Sequence, residues 1–141
     1  MKPLIALFAL CLLGAAADVP VGNDFKSLQG IWQIESIEFD GKSFPGSVTP
    51  QTRFIFSGEK LIQKGDPKEP IFTFTLDPAK KPKEIDLSNA ESKVPLAGIY
   101  ELTGDQLKIG YSVPPGAKRP EEFASKPGSL VFYFRLKRVK K

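Results

Sequence analysis

The sequence predicts an all-β chain, an eight-stranded antiparallel up-and-down barrel with a short N-terminal helical turn. Three observations carry this. Apolar and polar residues alternate with period two in eight short segments. Gly, Pro, Asp and Ser separate those segments, and each legible turn joins nearest neighbours as a hairpin. No window longer than two turns holds the 3.6-residue apolar period of a helix. Eight antiparallel strands in chain order can close without leaving an edge, with an interior either filled by side chains or holding one small ligand. A two-sheet sandwich would leave the same pattern; the barrel is the reading adopted here.

The elements follow in order. The first strand runs over Gly30 to Asp40, with Trp32 and Ile34 on one face and Gln33 and Glu35 on the other. Thr52 to Ser57 places Phe54 and Phe56 together, and Ser57-Gly58-Glu59-Lys60 turns into Leu61 to Lys64. Ile71 to Asp77 sets Phe72, Phe74 and Leu76 against Thr73 and Thr75, and Lys83 to Leu87 sets Ile85 and Leu87 against Glu84 and Asp86. Gly98 to Thr103 passes through Gly104-Asp105 into Gln106 to Ser112. In the last strand, Leu130 to Val139, one face carries Leu130, Phe132, Phe134 and Leu136. The other carries Val131, Tyr133, Arg135 and Lys137. The basic end of the chain, Arg135 to Lys141, reads as a solvated edge strand guarded by lysines.

Before the first strand, Asp24 is placed to cap one helical turn in which Phe25 and Leu28 share a side and which Gly30 ends. That turn would plug one barrel end, with Trp32 packed beneath it and Arg135 or Arg138 across the indole. A Gly-x-Trp after a short helical turn, paired with a late arginine, resembles lipocalins. A closer resemblance covers most of the chain. Leu28-Gln29-Gly30-Ile31-Trp32, Phe39-Asp40-Gly41-Lys42, the run from Leu76 to Lys83, Ile85-Asp86-Leu87, Gly98 to Leu102, Gly104 to Ile109 and Pro115 to Ser129 fit one pattern in order. They resemble a family of exported lipocalin-like domains abundant in planctomycete bacteria. The resemblance implies a barrel and an exported setting, and it supplies no reaction. Where that pattern often has a cysteine after Leu-Lys-Ile, this chain has Gly110.

Residues 1–17 read as a cleaved export signal: Lys2, an apolar run from Leu4 to Leu13, then Ala15-Ala16-Ala17 with cleavage after Ala17. The run is about half the roughly 20 residues a membrane span needs. Residues 18–141 are then one barrel domain in the periplasm, cell envelope or extracellular space, with no transmembrane span after processing.

Composition narrows the function. The chain has no His, and its one cysteine, Cys11, lies in the expected leader. A processed chain therefore lacks Ser-His-Asp and Cys-His nucleophiles and Cys/His metal cages. No Asp-rich loop has calcium-type spacing, and the net charge of +4 is mild. No cofactor, no metal and no nucleic-acid partner is expected, and the chain reads as a monomer. Catalysis without His or Cys could run on a lysine or tyrosine, or on paired carboxylates such as Glu35, Glu38, Asp40 or Glu101, and nothing local singles out a pair.

Binding is the remaining class. Trp32, Phe54, Phe56, Phe72, Phe74, Tyr100, Phe132 and Phe134 fall on the expected interior and are candidates to line a ligand cavity. The same rings would equally fill a small barrel. The proline-bearing 113–129 loop is long for a hairpin and stands at an expected barrel mouth. In it Lys118 and Arg119 are candidates to meet an anionic group. Alternatively Arg119 pairs with Glu121 or Glu122, while Phe123 packs inward and caps the barrel. The expectation is an exported non-catalytic domain binding a small apolar or amphipathic ligand at the mouth. The alternative is an envelope module that binds protein or polysaccharide through its outer face or the loop.

Overall fold

The structure, a computed structural model, describes residues 19–44, 52–65, 70–89, 91 and 93–140. The expected leader 1–17, with Cys11 and the cleavage point at Ala17, lies outside the described residues.

Among the described residues, period-two alternation becomes nine strands: β1 (Gly30–Phe39), β2 (Lys42–Ser43), β3 (Arg53–Ser57), β4 (Lys60–Lys64), β5 (Ile71–Asp77), β6 (Lys83–Ser88), β7 (Leu96–Thr103), β8 (Gln106–Ser112) and β9 (Val131–Arg138). One helix among the described residues, α1 (Val19–Leu28), precedes them. Each strand pairs antiparallel with the next, and β1 also pairs with β9, which closes eight strands into a barrel. The ninth, β2, is a two-residue addition opposite the end of β1. Because β9 lies between β8 and β1, the expected basic edge strand is not an edge. Its outward lysines border a closed wall.

Inward residues make one core. Trp32, Phe54, Leu61, Ile85, Ile109 and Leu136 are fully buried, and Phe56, Phe74, Leu87, Tyr100, Leu107 and Phe134 nearly so. The rings meet in preferred geometries: Phe56 and Phe74 edge to face at 5.1 Å, Phe54 and Phe134 tilted at 4.8 Å.

β1 departs from simple alternation. Its register with β9 shifts between Ile34 and Ser36, so a β-bulge inserts one residue. Beyond it the inward parity changes: Ile37 stands opposite Phe134 and Phe39 opposite Phe132. Strict alternation from Trp32 would have turned Phe39 outward. The bulge keeps it stacked on Phe132 at 4.3 Å.

The helix also differs from expectation. It begins five residues before Asp24, so Asp24 is not its cap. The Asp24 carboxylate instead accepts from the Tyr100 hydroxyl at 2.6 Å and from Lys83 Nζ at 3.0 Å. These partners bind it more strongly than a backbone N–H would, one being charged and the other largely out of water. They fasten α1 to β6 and β7.

Candidate functional site

The two barrel ends are built differently. Turns β3–β4, β5–β6 and β7–β8 gather at the helix end, where α1 covers the interior. Leu28 is fully buried, and Phe25 stacks on Phe74 at 5.7 Å. The Trp32 indole donates to the Leu28 carbonyl at 2.9 Å. Of the two arginines proposed for the indole, Arg138 does the work: its guanidinium lies 4.3 Å from the ring centroid. It donates to the carbonyls of Ser27 (2.6 Å) and Gln29 (3.3 Å) and meets Asp105 at 3.1 Å. Arg135 is exposed on the outer face, opposite Ser36 and three residues before Arg138 along β9. Burial, reinforced by the Asp24 hydrogen bond, pushes the Tyr100 hydroxyl well above its ordinary pKa.

At the other end no described helix lies across the interior. The residues there are aromatic: Phe132 is only partly buried and lies 4.3 Å from Phe39, 5.7 Å from Tyr111 and 6.1 Å from Phe134. Phe72 and Leu96 are buried at the margin. One polar pair sits among them, Gln63 Nε2 donating to the Tyr111 hydroxyl at 3.2 Å. Four large apolar side chains at this end are exposed: Phe44 at 39 %, Val94 at 51 %, Leu130 at 44 % and, on the outer wall, Ile71 at 54 %. Phe44 continues the β2 register, its N–H bonding the carbonyl of inward-facing Ile37.

Leu130 does not face the interior as alternation from Phe132 implied. Its φ is +53°, a left-handed conformation that costs an ordinary residue about 1–2 kcal/mol. The backbone turns at Leu130, so the alternation starts only at Val131. A strained, exposed leucine beside an aromatic floor is a feature that packing alone does not reward.

The structure thus divides the eight candidate cavity residues. Trp32, Phe56, Phe74 and Tyr100 form the helix-sealed end, where a ligand would reach them only with α1 displaced. Phe54 and Phe134 pair in the middle. Phe72 and Phe132 belong to the open end. Phe39, Phe44, Gln63, Tyr111 and Leu130 were not among the candidates. Alternation along Leu107, Ile109 and Tyr111 could have found Tyr111. Phe39 was hidden by the bulge, because Glu35 and Ser36 give the sequence no apolar marker of it.

The 113–129 loop leaves and rejoins the barrel at the open end, where Val113 packs against the core and Gly116 N–H bonds the Pro95 carbonyl, but its middle does not cover the mouth. It folds back as a strap across the outer wall of β6 to β9. Ser112 Oγ donates to the Lys118 carbonyl and Ser125 Oγ to the Val131 carbonyl, both at 2.6 Å. Phe123 does not pack inward. It lies 6.4 Å from Tyr133, on the outside, with Lys108 Nζ 6.0 Å over its ring. Outward Val131 and Tyr133 are buried for this reason, at 6 % each. Burial also raises the Tyr133 pKa. The far end of the strap is pinned to the β1–β2 turn, where Gly128 N–H donates to Asp40. A Cβ on Gly41 would stand 2.7 Å from Pro127, which requires glycine there.

Arg119 does not pair with Glu121 or Glu122. It reaches over β6, 3.5 Å from Glu84 and 2.8 Å from Asp86. Its Nη1 protons go to the carbonyls of Gly98 (2.8 Å) and Ile85 (3.4 Å), so Asp86 Oδ1 has an ion-pair partner without a hydrogen bond. Lys118 pairs with Glu121 and Lys126 with Glu122 on the surface. Under the strap is a cleft of about 270 Å³ bordered by Ser112, Arg119, Glu122 and Val131. Its charged side chains already have partners, Arg119 on β6 and the lysines within the strap.

Among the described residues no three acidic side chains converge as metal ligands, and no helix is long and apolar enough to cross a membrane. Comparison with known proteins finds no family model, curated protein or solved structure that matches this chain.

Proposed function

We propose that the chain is an exported, non-catalytic binding domain that takes a small apolar or amphipathic ligand at the open end of the barrel. The observation that carries this is the asymmetry of the two ends. One is sealed by α1, Trp32 and Arg138. The other has an aromatic floor of Phe39, Tyr111 and Phe132 beneath exposed Phe44, Val94 and Leu130. Apolar walls with a few polar groups are the usual make-up of a small-molecule site. Gln63 and the Tyr111 hydroxyl supply the polar handle, which suits a ligand with one polar group on an apolar body. Export is supported by the leader-like residues 1–17 and by the resemblance to exported lipocalin-like domains. Binding of a charged polymer through the strap is the weaker reading, since Lys118, Arg119 and Lys126 each have acidic partners.

The test is a titration with N-phenyl-1-naphthylamine, an apolar fluorophore with one polar N–H. A saturable one-to-one rise in fluorescence is expected. Leu130→Asn should weaken it about threefold to tenfold, the equivalent of burying part of one leucine. The same change should raise stability by about 0.5–1 kcal/mol, because Asn tolerates positive φ. Opposite signs of the two effects would place Leu130 in the mouth for binding. Linear, unsaturable fluorescence, or equal affinity in the variant, would count against the proposal.

A further inference from the structure

Two segments that frame the open end are tied together by one side chain. The first segment is the β1–β2 hairpin. Phe39 pairs with Lys42 across its turn, and the Phe44 N–H bonds the Ile37 carbonyl. Phe39 and Phe44 therefore share the interior side with Ile37. Among the described residues β1 is the only strand that pairs with β2, so the hairpin is held along one edge. The second segment is the return of the strap into β9. The Ser129 N–H bonds the Lys126 carbonyl at 3.0 Å, Gly128 takes a φ of +79°, and exposed Leu130 follows.

Asp40 stands between the two. It is the first turn residue of the hairpin, at a φ of +54°, and its carboxylate accepts from the Gly128 N–H, 88 residues on in the chain. Beside it Gly41 lies against the Pro127 ring. Asp-Gly is a common pair in such turns, so the turn alone accounts for the residue types. The bond to Gly128 does something the turn does not need. It joins the hairpin that carries Phe39 and Phe44 to a backbone amide two residues before Leu130.

We propose that Asp40 is a positioning residue for the ligand site. By holding Gly128 it sets the spacing across the mouth between Phe39 and Phe44 on the hairpin and Leu130 on the returning strap. This rests on the reading that ligand enters at the open end. The rest of the strap gives the clamp something firm to hold, because Arg119 is anchored on Asp86 and the Ser125 hydroxyl on the Val131 carbonyl. Coupling between two sites is reciprocal. A ligand that touches both the hairpin and Leu130 must therefore tighten the Asp40–Gly128 bond by the factor by which that bond tightens the ligand.

Titration with N-phenyl-1-naphthylamine and amide exchange at Gly128 test this together. Asp40→Gly removes the acceptor, and glycine adopts the positive φ freely, so the variant should fold. It should bind the fluorophore about fivefold more weakly, the low end for coupled sites because the bond is exposed. Freshly purified Asp40→Asn keeps an oxygen facing Gly128 and should stay within about twofold of wild type. In the wild type, saturating fluorophore should slow Gly128 exchange by about the same fivefold, which a merely structural bond would not show. If the wild type binds and Asp40→Gly binds equally well, the mouth stands and the positioning role falls. The role also falls if Asp40→Asn loses as much as Asp40→Gly, or if ligand leaves Gly128 exchange unchanged. Absence of saturable binding by the wild type would remove the mouth and this role together.

Discussion

Arg138→Met is the sharpest test of how the helix end is held shut. The substitution keeps an apolar stem of similar length over Trp32 and removes the guanidinium. Four contacts go with it. The cation over the indole, 4.3 Å from the centroid, contributes about 1 kcal/mol in a partly buried setting. Hydrogen bonds from a charged group to the Ser27 and Gln29 carbonyls contribute about 1 kcal/mol each once discounted for the 25 % exposure of the side chain. The Asp105 pair is half in water and adds little. The expected loss is about 3 kcal/mol, which lowers Tm by about 10 °C for a chain of this size. Urea unfolding followed by Trp32 fluorescence and by far-ultraviolet circular dichroism gives the number. Arg135→Met is the control: its side chain is exposed, and it should stay within about 0.5 kcal/mol of wild type. Equal losses in the two variants, or a loss under about 1 kcal/mol for Arg138→Met, would refute the reasoning.

Three further outcomes follow from the packing. The raised Tyr100 pKa means the folded state keeps its proton when the unfolded chain has lost it. That contribution is constant below about pH 10 and is lost as pH rises above it. Tyr100→Phe should cost about 1–2 kcal/mol at pH 7 through the lost Asp24 hydrogen bond and flatten the decline above pH 10; an unchanged alkaline slope contradicts this. Gly98→Ala should destabilise by about 3 kcal/mol, since a Cβ there meets the Gly110 carbonyl at 2.7 Å, and backbone cannot yield cheaply. Gly110→Ala, with nothing closer than 3.7 Å, should stay within about 0.5 kcal/mol, and thermal melts compare the two. Arg119→Met should loosen the strap by about 1–2 kcal/mol and speed amide exchange at Val131 and Tyr133, whereas Lys118→Met should do neither.

Period-two alternation made the strands legible because every barrel strand has one wet and one dry face. Phe54, Phe56, Phe72 and Phe74 could hardly be arranged otherwise. The helix plug was legible from Phe25, Leu28 and Trp32, though not its length, because Asp24 looks like a cap while serving as an acceptor for Tyr100. Two features escaped. The bulge leaves two polar residues, Glu35 and Ser36, between Ile34 and Ile37, a spacing that reads equally as a strand losing its pattern. The strap's course depends on Val131 and Tyr133 being apolar at outward positions. The same signal, outward apolar residues on a barrel wall, marks Ile31, Ile55, Ile62 and Ile71, and local pattern does not say whether the chain covers such a row. That requires the register, which is long-range information. Likewise Arg119 has acids two and three residues away, yet it is held by Glu84 and Asp86 across the sheet.

The central claim is that ligand enters opposite the helix. Amide and indole chemical shifts recorded during titration with N-phenyl-1-naphthylamine test it most directly. The account predicts shifts clustered at Phe44, Tyr111 to Val113 and Leu130 to Phe132, with the Trp32 indole N–H unmoved. Shifts centred on that indole and α1, or on the strap around Arg119 and Phe123, would contradict it.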